Sequence, residues 1–242
     1  MEERISQYFG KDEIIFLCDE PTCGFEEGKK KAPRLTKGWH ELSQLEEDVR
    51  FELIRDYWFN ALPIVSTFRA FIDRFFAKVE KIGIISTSIG IFMTYTLKDR
   101  PECFFGGPPL LDEEIETLKG EVDFSLPEDF CRFYRIHNGF FKGGDTGIYS
   151  SGVLVEEAKR FKQLGRLLQL GNQKVPTDLL LPFYRSFGLD VYQCFYKEWY
   201  PDEGMGNVLC SLSEEAISDP NRDPMAFPTF LEWLTFYMEE VK

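Results

Sequence analysis

Residues 126–139 read LPEDFCRFYRIHNG, and the organisation of the chain is best worked out from this stretch. A proline at the first helical position and acidic residues in the first turn both favour the start of a helix here. Aromatic residues three or four positions apart define one side of that helix: Phe130, Phe133, Tyr134 and His137. The pair Asn138-Gly139 tolerates a left-handed backbone, which predicts the end of the helix. We therefore expect a short helix whose aromatic side points inward.

The clearest break in the sequence is Gly106-Gly107-Pro108-Pro109. It divides the chain into residues 1–105, predicted as a mainly helical region with one or two strands, and residues 106–242. In the second part, helical patterns accompany four predicted strands, at 148–154, 179–187, 191–196 and 207–212. Strands between flanking helices indicate an α+β domain with a small, mostly antiparallel sheet rather than a wound parallel sheet.

Two amphipathic helices joined by a short break are predicted before that boundary. The first has apolar residues on one face: Leu42, Leu45, Val49, Leu53 and Tyr57. The second has a similar face: Val65, Phe68, Ile72, Phe75, Val79 and Ile82. A stripe at this spacing is usually core, so we expect both faces to be buried, and docking of a partner helix is the alternative. Residues 82–97 are rich in β-branched side chains and are predicted as two buried strands.

The chain has 242 residues and carries 28 Lys and Arg against 41 Asp and Glu, a formal net charge of −13. This excess of acid argues against a general nucleic-acid binder and against a polybasic membrane-surface protein. The charge is polarised, because residues 1–105 are net −3 and residues 106–242 are net −10, with −8 after residue 197. We expect any partner to be basic, and the plainer alternative is a solvated surface.

Six cysteines and two histidines give little material for a metal site. Cys18 and Cys23 form the one close pair, but a structural zinc needs four nitrogen or sulfur ligands, and neither His40 nor His137 adjoins them. No metal and no cofactor are therefore predicted. The N-terminus lacks the pattern of a secretory signal, and the longest uncharged stretch, 16 residues, is shorter than the ~20 residues of a membrane helix. We expect a cytoplasmic protein.

No residue pattern indicates catalysis. A serine or cysteine nucleophile needs a base and an orienting acid, and His40 and His137 are the only histidines. His137 lies on the apolar side of the helix over 126–139, where a histidine is usually structural. The glycine-rich segments 143–147 and 204–206 lack the lysine and hydroxyl residues of a phosphate-binding loop. We expect a protein that is not an enzyme, and a hydrolase using His137 is a minor alternative.

Several motifs in the second part resemble the SUKH superfamily. Pro108-Pro109, a helix through Ile115, the Leu126-Pro127 pair and His137-Asn138-Gly139 are similar to the N-terminal half of a SUKH domain. The superfamily includes a fungal regulator of cell-wall glucan synthesis and many bacterial immunity proteins. The resemblance covers about residues 106–242. It implies structural roles for six motif residues: Leu126, Pro127, Phe130, His137, Asn138 and Gly139.

The resemblance implies a non-catalytic domain that binds another protein. We expect an immunity-type inhibitor, which would neutralise a basic toxin such as a nuclease by covering it with an acidic surface. The residues expected on that surface are Asp202, Glu203, Glu214, Glu215, Asp219 and Asp223. The alternative is an intracellular scaffold or regulator of the same fold, which would dock its partner on the N-terminal helical pair. The oligomeric state does not follow from the sequence.

Overall fold

The chain folds into two compact units, each with antiparallel strands and flanking helices. Unit 1 consists of residues 1–109 and 140–144, and unit 2 of residues 110–139 and 145–242. This arrangement confirms the predicted α+β class. The computed structural model describes residues 2–9, 14–19, 24–63, 66–98, 100–170, 173–201, 204–213 and 225–239.

Unit 1 combines helices with five strands that pair antiparallel in chain order, within its described residues. Its helices are α1 (Glu2–Ser6), α2 (Phe25–Lys31), α3 (Lys37–Ser43), α4 (Glu47–Ala61) and α5 (Ser66–Lys78). Its strands are β1 (Ile15–Phe16), β2 (Val79–Ser86), β3 (Ile91–Leu97), β4 (Cys103–Gly106) and β5 (Phe140–Lys142). The N-terminal part therefore holds more strands than the one or two predicted, because β1 and β4 are too short to show an alternating pattern.

The strands of unit 1 are covered on both faces. On one face the rings of Phe104 and Tyr95 pack with Trp58 of α4 and Phe75 of α5, and the centroids are 5.8 to 6.1 Å apart. The other face carries an N-terminal cluster whose buried members are Ile5, Ile85, Cys103 and Phe105. Successive residues of a strand point to opposite faces, so Phe104 and Phe105 of β4 enter different clusters.

The second predicted helix of the N-terminal pair is confirmed in its apolar face but ends earlier than expected. Phe68, Ile72 and Phe75 of α5 are buried, as predicted, whereas Val65 lies outside the described residues. Val79 and Ile82 were assigned to the same helix but belong to β2. The β-branched residues that begin there favour a strand, because their side chains are stiff and crowd a preceding helical turn.

Unit 2 contains four helices and seven strands within its described residues. The helices are α6 (Asp112–Val122), α7 (Glu128–Tyr134), α8 (Ser151–Leu164) and α9 (Phe230–Glu239). The strands are β6 (Gly147–Ile148), β7 (Leu167–Leu170), β8 (Gln173–Pro176), β9 (Leu180–Arg185), β10 (Val191–Tyr196), β11 (Asn207–Ser211) and β12 (Ala226–Phe227). Strands β6, β9, β10, β11 and β12 pair antiparallel in this order, and β7 and β8 form a separate hairpin. The predicted strands at 179–187, 191–196 and 207–212 are confirmed as β9, β10 and β11. The predicted strand at 148–154 is wrong beyond Ile148, because residues 151–154 form the first turn of α8.

Strand β10 separates two clusters of buried side chains in unit 2. Tyr192 packs against Phe161 of α8, with ring centroids 5.2 Å apart. Phe195, three residues later and on the opposite side of the strand, packs against Phe130 of α7 at 5.0 Å. Successive residues of β10 therefore face opposite sides of the strand, and both sides are buried.

Two buried thiols lie side by side on neighbouring strands of unit 2. The Sγ of Cys194 on β10 is 3.2 Å from the Sγ of Cys210 on β11, and both residues are fully buried. Burial raises the pKa of the Cys194 thiol well above its ordinary value. The Cys194 thiol therefore stays protonated and behaves as a small apolar side chain.

Replacing Tyr95 by phenylalanine tests the buried polar pair of unit 1. The indole N–H of Trp58 donates to the Tyr95 hydroxyl at 3.0 Å, and both residues are completely buried. The substitution removes this acceptor, so we expect the free energy of unfolding, measured in urea, to fall by about 1–3 kcal/mol. Tyr200→Phe, at a tyrosine that is 59% exposed, is the control and should change it by less than about 0.5 kcal/mol. Equal stability of the two variants would contradict the expectation.

Candidate functional site

The six acidic residues expected on the partner surface lie outside the described residues. They are Asp202, Glu203, Glu214, Glu215, Asp219 and Asp223. Their grouping into one surface therefore stays a prediction. The six motif residues between 126 and 139 are all described, and they belong to unit 2.

Phe130 lies in the aromatic core of unit 2. Its side chain is completely buried, and its ring centroid is 4.5 Å from that of Tyr134 and 5.0 Å from that of Phe230 in α9. Pro127 is the residue immediately before α7, one position earlier than predicted, and its extended backbone sets the direction in which the helix starts. Leu126 is half-buried beside it. These three residues direct α7 into the core.

The carboxylate of Asp129 joins the first turns of two helices in unit 2. One oxygen accepts the backbone N–H of Phe130 in α7 at 2.9 Å, and the other accepts the backbone N–H of Leu231 in α9 at 3.1 Å. Burial raises the pKa of Asp129, and the hydrogen bonds from the backbone of Leu231 and Phe130 act in the opposite direction. Backbone N–H groups at the start of a helix have no partner within the helix, so Asp129 supplies one to α9. This role is not predictable from the sequence, where its only signal is an acid at the start of α7.

The His137-Asn138-Gly139 segment joins α7 to the start of α8. The Asn138 side chain accepts the backbone N–H of Ser151 at 2.6 Å and donates to the Ser151 hydroxyl at 3.1 Å. Gly139 has a φ of 86°, and a Cβ at this position would lie 3.1 Å from the backbone nitrogen of Ser150. A residue with a side chain is therefore disfavoured there by conformation and by space. The predicted helix end is wrong by several residues, because α7 ends at Tyr134 and a turn follows.

The side-chain contacts described for these motif residues lie inside unit 2. His137 is fully buried, with its ring centroid 6.4 Å from that of Phe133. A substrate has no direct access to a histidine in this position. The contacts support a structural role for the motif, and they leave a binding role to other surfaces.

The most distinctive surface lies in unit 1, on α4. Val49, Leu53 and Tyr57 are 46%, 48% and 48% exposed, so the prediction that they form the buried face of this helix is wrong. The buried positions are Arg50, Ile54 and Trp58, each one residue further along the chain. One residue corresponds to a rotation of about 100° around a helix axis. Because α4 has apolar residues on both sets of positions, the spacing alone fits either face.

The environment of Arg50 explains which face of α4 is buried. Arg50 is 3% exposed, and its guanidinium donates to the backbone oxygen of Ile82 in β2 at 3.1 Å and to that of Leu45 at 2.9 Å. A buried guanidinium is tolerated where acceptors are available, and these two carbonyl groups supply them. Arginine is usually exposed, so its residue type gives no sign that Arg50 is buried.

A row of acidic residues accompanies the exposed apolar row of α4. Asp48, Glu52 and Asp56 each precede an apolar residue of the row by one position, and all three are exposed. Arg55 lies 3.5 Å from Asp56, and an exposed ion pair of this kind contributes little. We call the two rows together the α4 face, which consists of Asp48, Val49, Glu52, Leu53, Asp56 and Tyr57.

Two surface depressions carry weaker signals. One, of about 430 Å³ in unit 1, is lined by Glu2, Glu3, Arg4, Asp19 and Lys81. The other, of about 610 Å³ in unit 2, is lined by Lys119, Gly120, Asp123, Phe124, Ser125, Leu126 and Lys197. Among the residues that the structure describes, neither lining includes a histidine or a cysteine, and so neither brings together the nucleophile and imidazole base that a hydrolase of the His137 type requires.

In the part of the chain that the structure describes, no three His, Cys, Asp or Glu side chains lie close enough together to hold a metal ion. Cys23, half of the one cysteine pair singled out in the sequence, lies outside that part. No helix in it combines the length and the apolar character needed to cross a bilayer.

Comparisons with protein-family models, with curated proteins and with solved structures return no match for this chain. The SUKH assignment therefore stays a prediction that rests on the motif residues. The α4 face and the contacts of Asp129 rest on the geometry of the chain itself.

The pH dependence of stability tests the environment of Asp129. Because burial raises its pKa above the ordinary value, folding favours the protonated form. The stabilisation is then greatest at low pH and is lost as the pH rises through the raised pKa. We expect the free energy of unfolding of the wild type, relative to that of Asp129→Asn, to decrease as the pH rises from about 4, the ordinary carboxyl value, toward neutrality. Urea denaturation across this range measures it, with Glu113→Gln at an exposed carboxyl as control, and a constant difference would contradict the assignment.

Proposed function

We propose that the protein is a non-catalytic, protein-binding protein that docks its partner on the α4 face. The observation that carries this proposal is the row of three large apolar side chains, each nearly half exposed, on one side of a 15-residue helix. Single exposed apolar residues are common, but a contiguous exposed row on a folded domain is typical of an interaction site. The burial of His137 and the internal contacts of the motif support a role other than hydrolysis.

The α4 face favours the scaffold or regulator alternative. That alternative places the docking surface on the N-terminal helices, and α4 is the longest of them in the described residues. We also propose a cytoplasmic location. In its support, five cysteines in the described residues have free thiols, which fits a reducing compartment: Cys18, Cys103, Cys131, Cys194 and Cys210.

An immunity-type inhibitor of a basic toxin is the second candidate function. Its support is the distribution of charge, with −10 in residues 106–242 and −8 after residue 197. Acidic surfaces accelerate association with basic partners and oppose binding to acidic ones. The proposed binding residues are the six acids between 202 and 223 named above.

A double substitution on α4 tests the first candidate. Leu53→Gln with Tyr57→Gln removes most of the apolar row and places glutamine, a good helix-forming residue, at both positions. Proteins retained by the tagged wild type from the source cell, and lost with the variant, are identified by mass spectrometry, purified and titrated. We expect the Kd to rise about tenfold or more, which is about 1.4 kcal/mol, with little change in melting temperature.

The control is Leu189→Gln in unit 2, at a leucine that is 56% exposed. It removes a comparable apolar surface from a different place and should leave the Kd unchanged. A purified partner that binds the wild type and the α4 variant equally would show that its docking surface lies elsewhere.

Salt dependence tests the second candidate. The affinity for a purified basic partner should fall steeply between about 50 mM and about 500 mM NaCl, because screening weakens exposed charge pairs. A variant with the six C-terminal acids changed to Asn or Gln should bind more weakly at low salt and depend less on salt. Affinity that is insensitive both to salt and to these substitutions would show that the acidic residues do not contribute to binding.

A further inference from the structure

The α4 face combines apolar and acidic rows, and their geometry restricts what can bind. The apolar row runs from Val49 to Tyr57, which is about 12 Å along the helix axis. Residues four positions apart on a helix form a ridge, and ridges of this kind pack into the grooves of another helix. The row therefore fits one face of a partner helix over about two turns, and a contact this small suits a reversible complex.

The acidic row determines the charge of a compatible partner. Asp48, Glu52 and Asp56 follow the same course as the apolar row, and among the described residues no ion pair is formed by Asp48 or Glu52. A helix docked on the apolar row places its flanking positions beside these carboxylates. Lys or Arg at those positions gives attractive pairs, whereas Asp or Glu gives repulsion.

Two other occupants are disfavoured by the same charges. A second copy of this chain, docked through its own α4 face, would bring two acidic rows together. An anionic membrane surface would repel the row and the whole chain, which has a net charge of −13. A basic amphipathic helix is compatible with both rows of the α4 face.

From these observations we infer that the partner presents an amphipathic α-helix with an apolar stripe edged by Lys or Arg. This inference rests on the proposed function, because it names the partner of the same face. In this complex the apolar row of the α4 face provides affinity, and the acidic row determines which partner is bound.

Two synthetic helical peptides test the inference directly on the full chain. Both carry the same leucine stripe, and one has lysine and the other glutamate at the flanking positions. Fluorescence anisotropy at about 10 mM and about 300 mM NaCl gives the Kd of each. We expect the lysine peptide to bind at least about tenfold more tightly at low salt and to lose most of this advantage at high salt.

Two variants with the same net charge show whether the preference comes from the α4 face. Asp48→Asn with Glu52→Gln and Asp56→Asn neutralises the acidic row, and Glu113→Gln with Glu121→Gln and Glu156→Gln removes three exposed acids elsewhere. The first variant should lose most of the preference for the lysine peptide, and the second should keep it. Equal preference in the two variants, or none in the wild type, would overturn the inference.

The Leu53→Gln, Tyr57→Gln variant distinguishes a failure of the inference about the partner from a failure of the proposed function. If it weakens both peptides while the neutralised row has no effect, α4 is a docking face and the basic partner is wrong. If it changes neither peptide and no purified partner is affected by it, the proposed function itself fails.

Discussion

Burial of strands on both faces is the constraint on which each unit depends. Every residue of β4 is buried, and so are the four central residues of β10, which leaves polar groups in these strands without water. Buried polar groups find partners inside their own unit, such as the indole of Trp58 for the Tyr95 hydroxyl on β3 and Asn207 for the amide nitrogen of Gln193 on β10. The amide oxygen of Gln193 is an exception among the described residues, because it is buried without a hydrogen-bond partner. The same requirement holds the Arg50 guanidinium under α4, against backbone carbonyls, and thereby turns the apolar row of this helix outward.

The sequence predicts a helix or a strand correctly where the spacing of its apolar residues fits only one kind of element. The α+β class, the strands around the 188–190 turn and the apolar face of α5 follow from a single periodicity each. The buried face of α4 could not be predicted from spacing, because apolar residues recur both at the positions of Val49 and Leu53 and at those of Ile54 and Trp58. The backbone acceptors that select the buried face are brought to Arg50 only by folding. The contact of Asp129 with Leu231 was also out of reach, because about a hundred residues separate a capping side chain from the helix that it caps.

The distribution of tasks between the units changes the functional hypothesis. The motif residues that first suggested a protein-binding family are engaged in organising the aromatic core and the helix starts of unit 2. The surface with the composition of a docking site lies in unit 1, in the region for which the resemblance offered no counterpart. Exposure and charge on one helix support a binding role for unit 1, and packing supports a structural role for the motif in unit 2.

The thiol pair of β10 and β11 has a practical consequence. An alkylating reagent reacts with an accessible thiolate, and Cys194 is buried with its thiol held protonated. Covalent labelling of Cys194 therefore requires the two strands to separate, and the labelling rate measures how often they do so. Cys18 of unit 1 is only half-buried, so its labelling does not depend on the separation of these two strands. Cys194 is thus a natural probe of local opening between β10 and β11, and mass spectrometry detects its labelling without an introduced group.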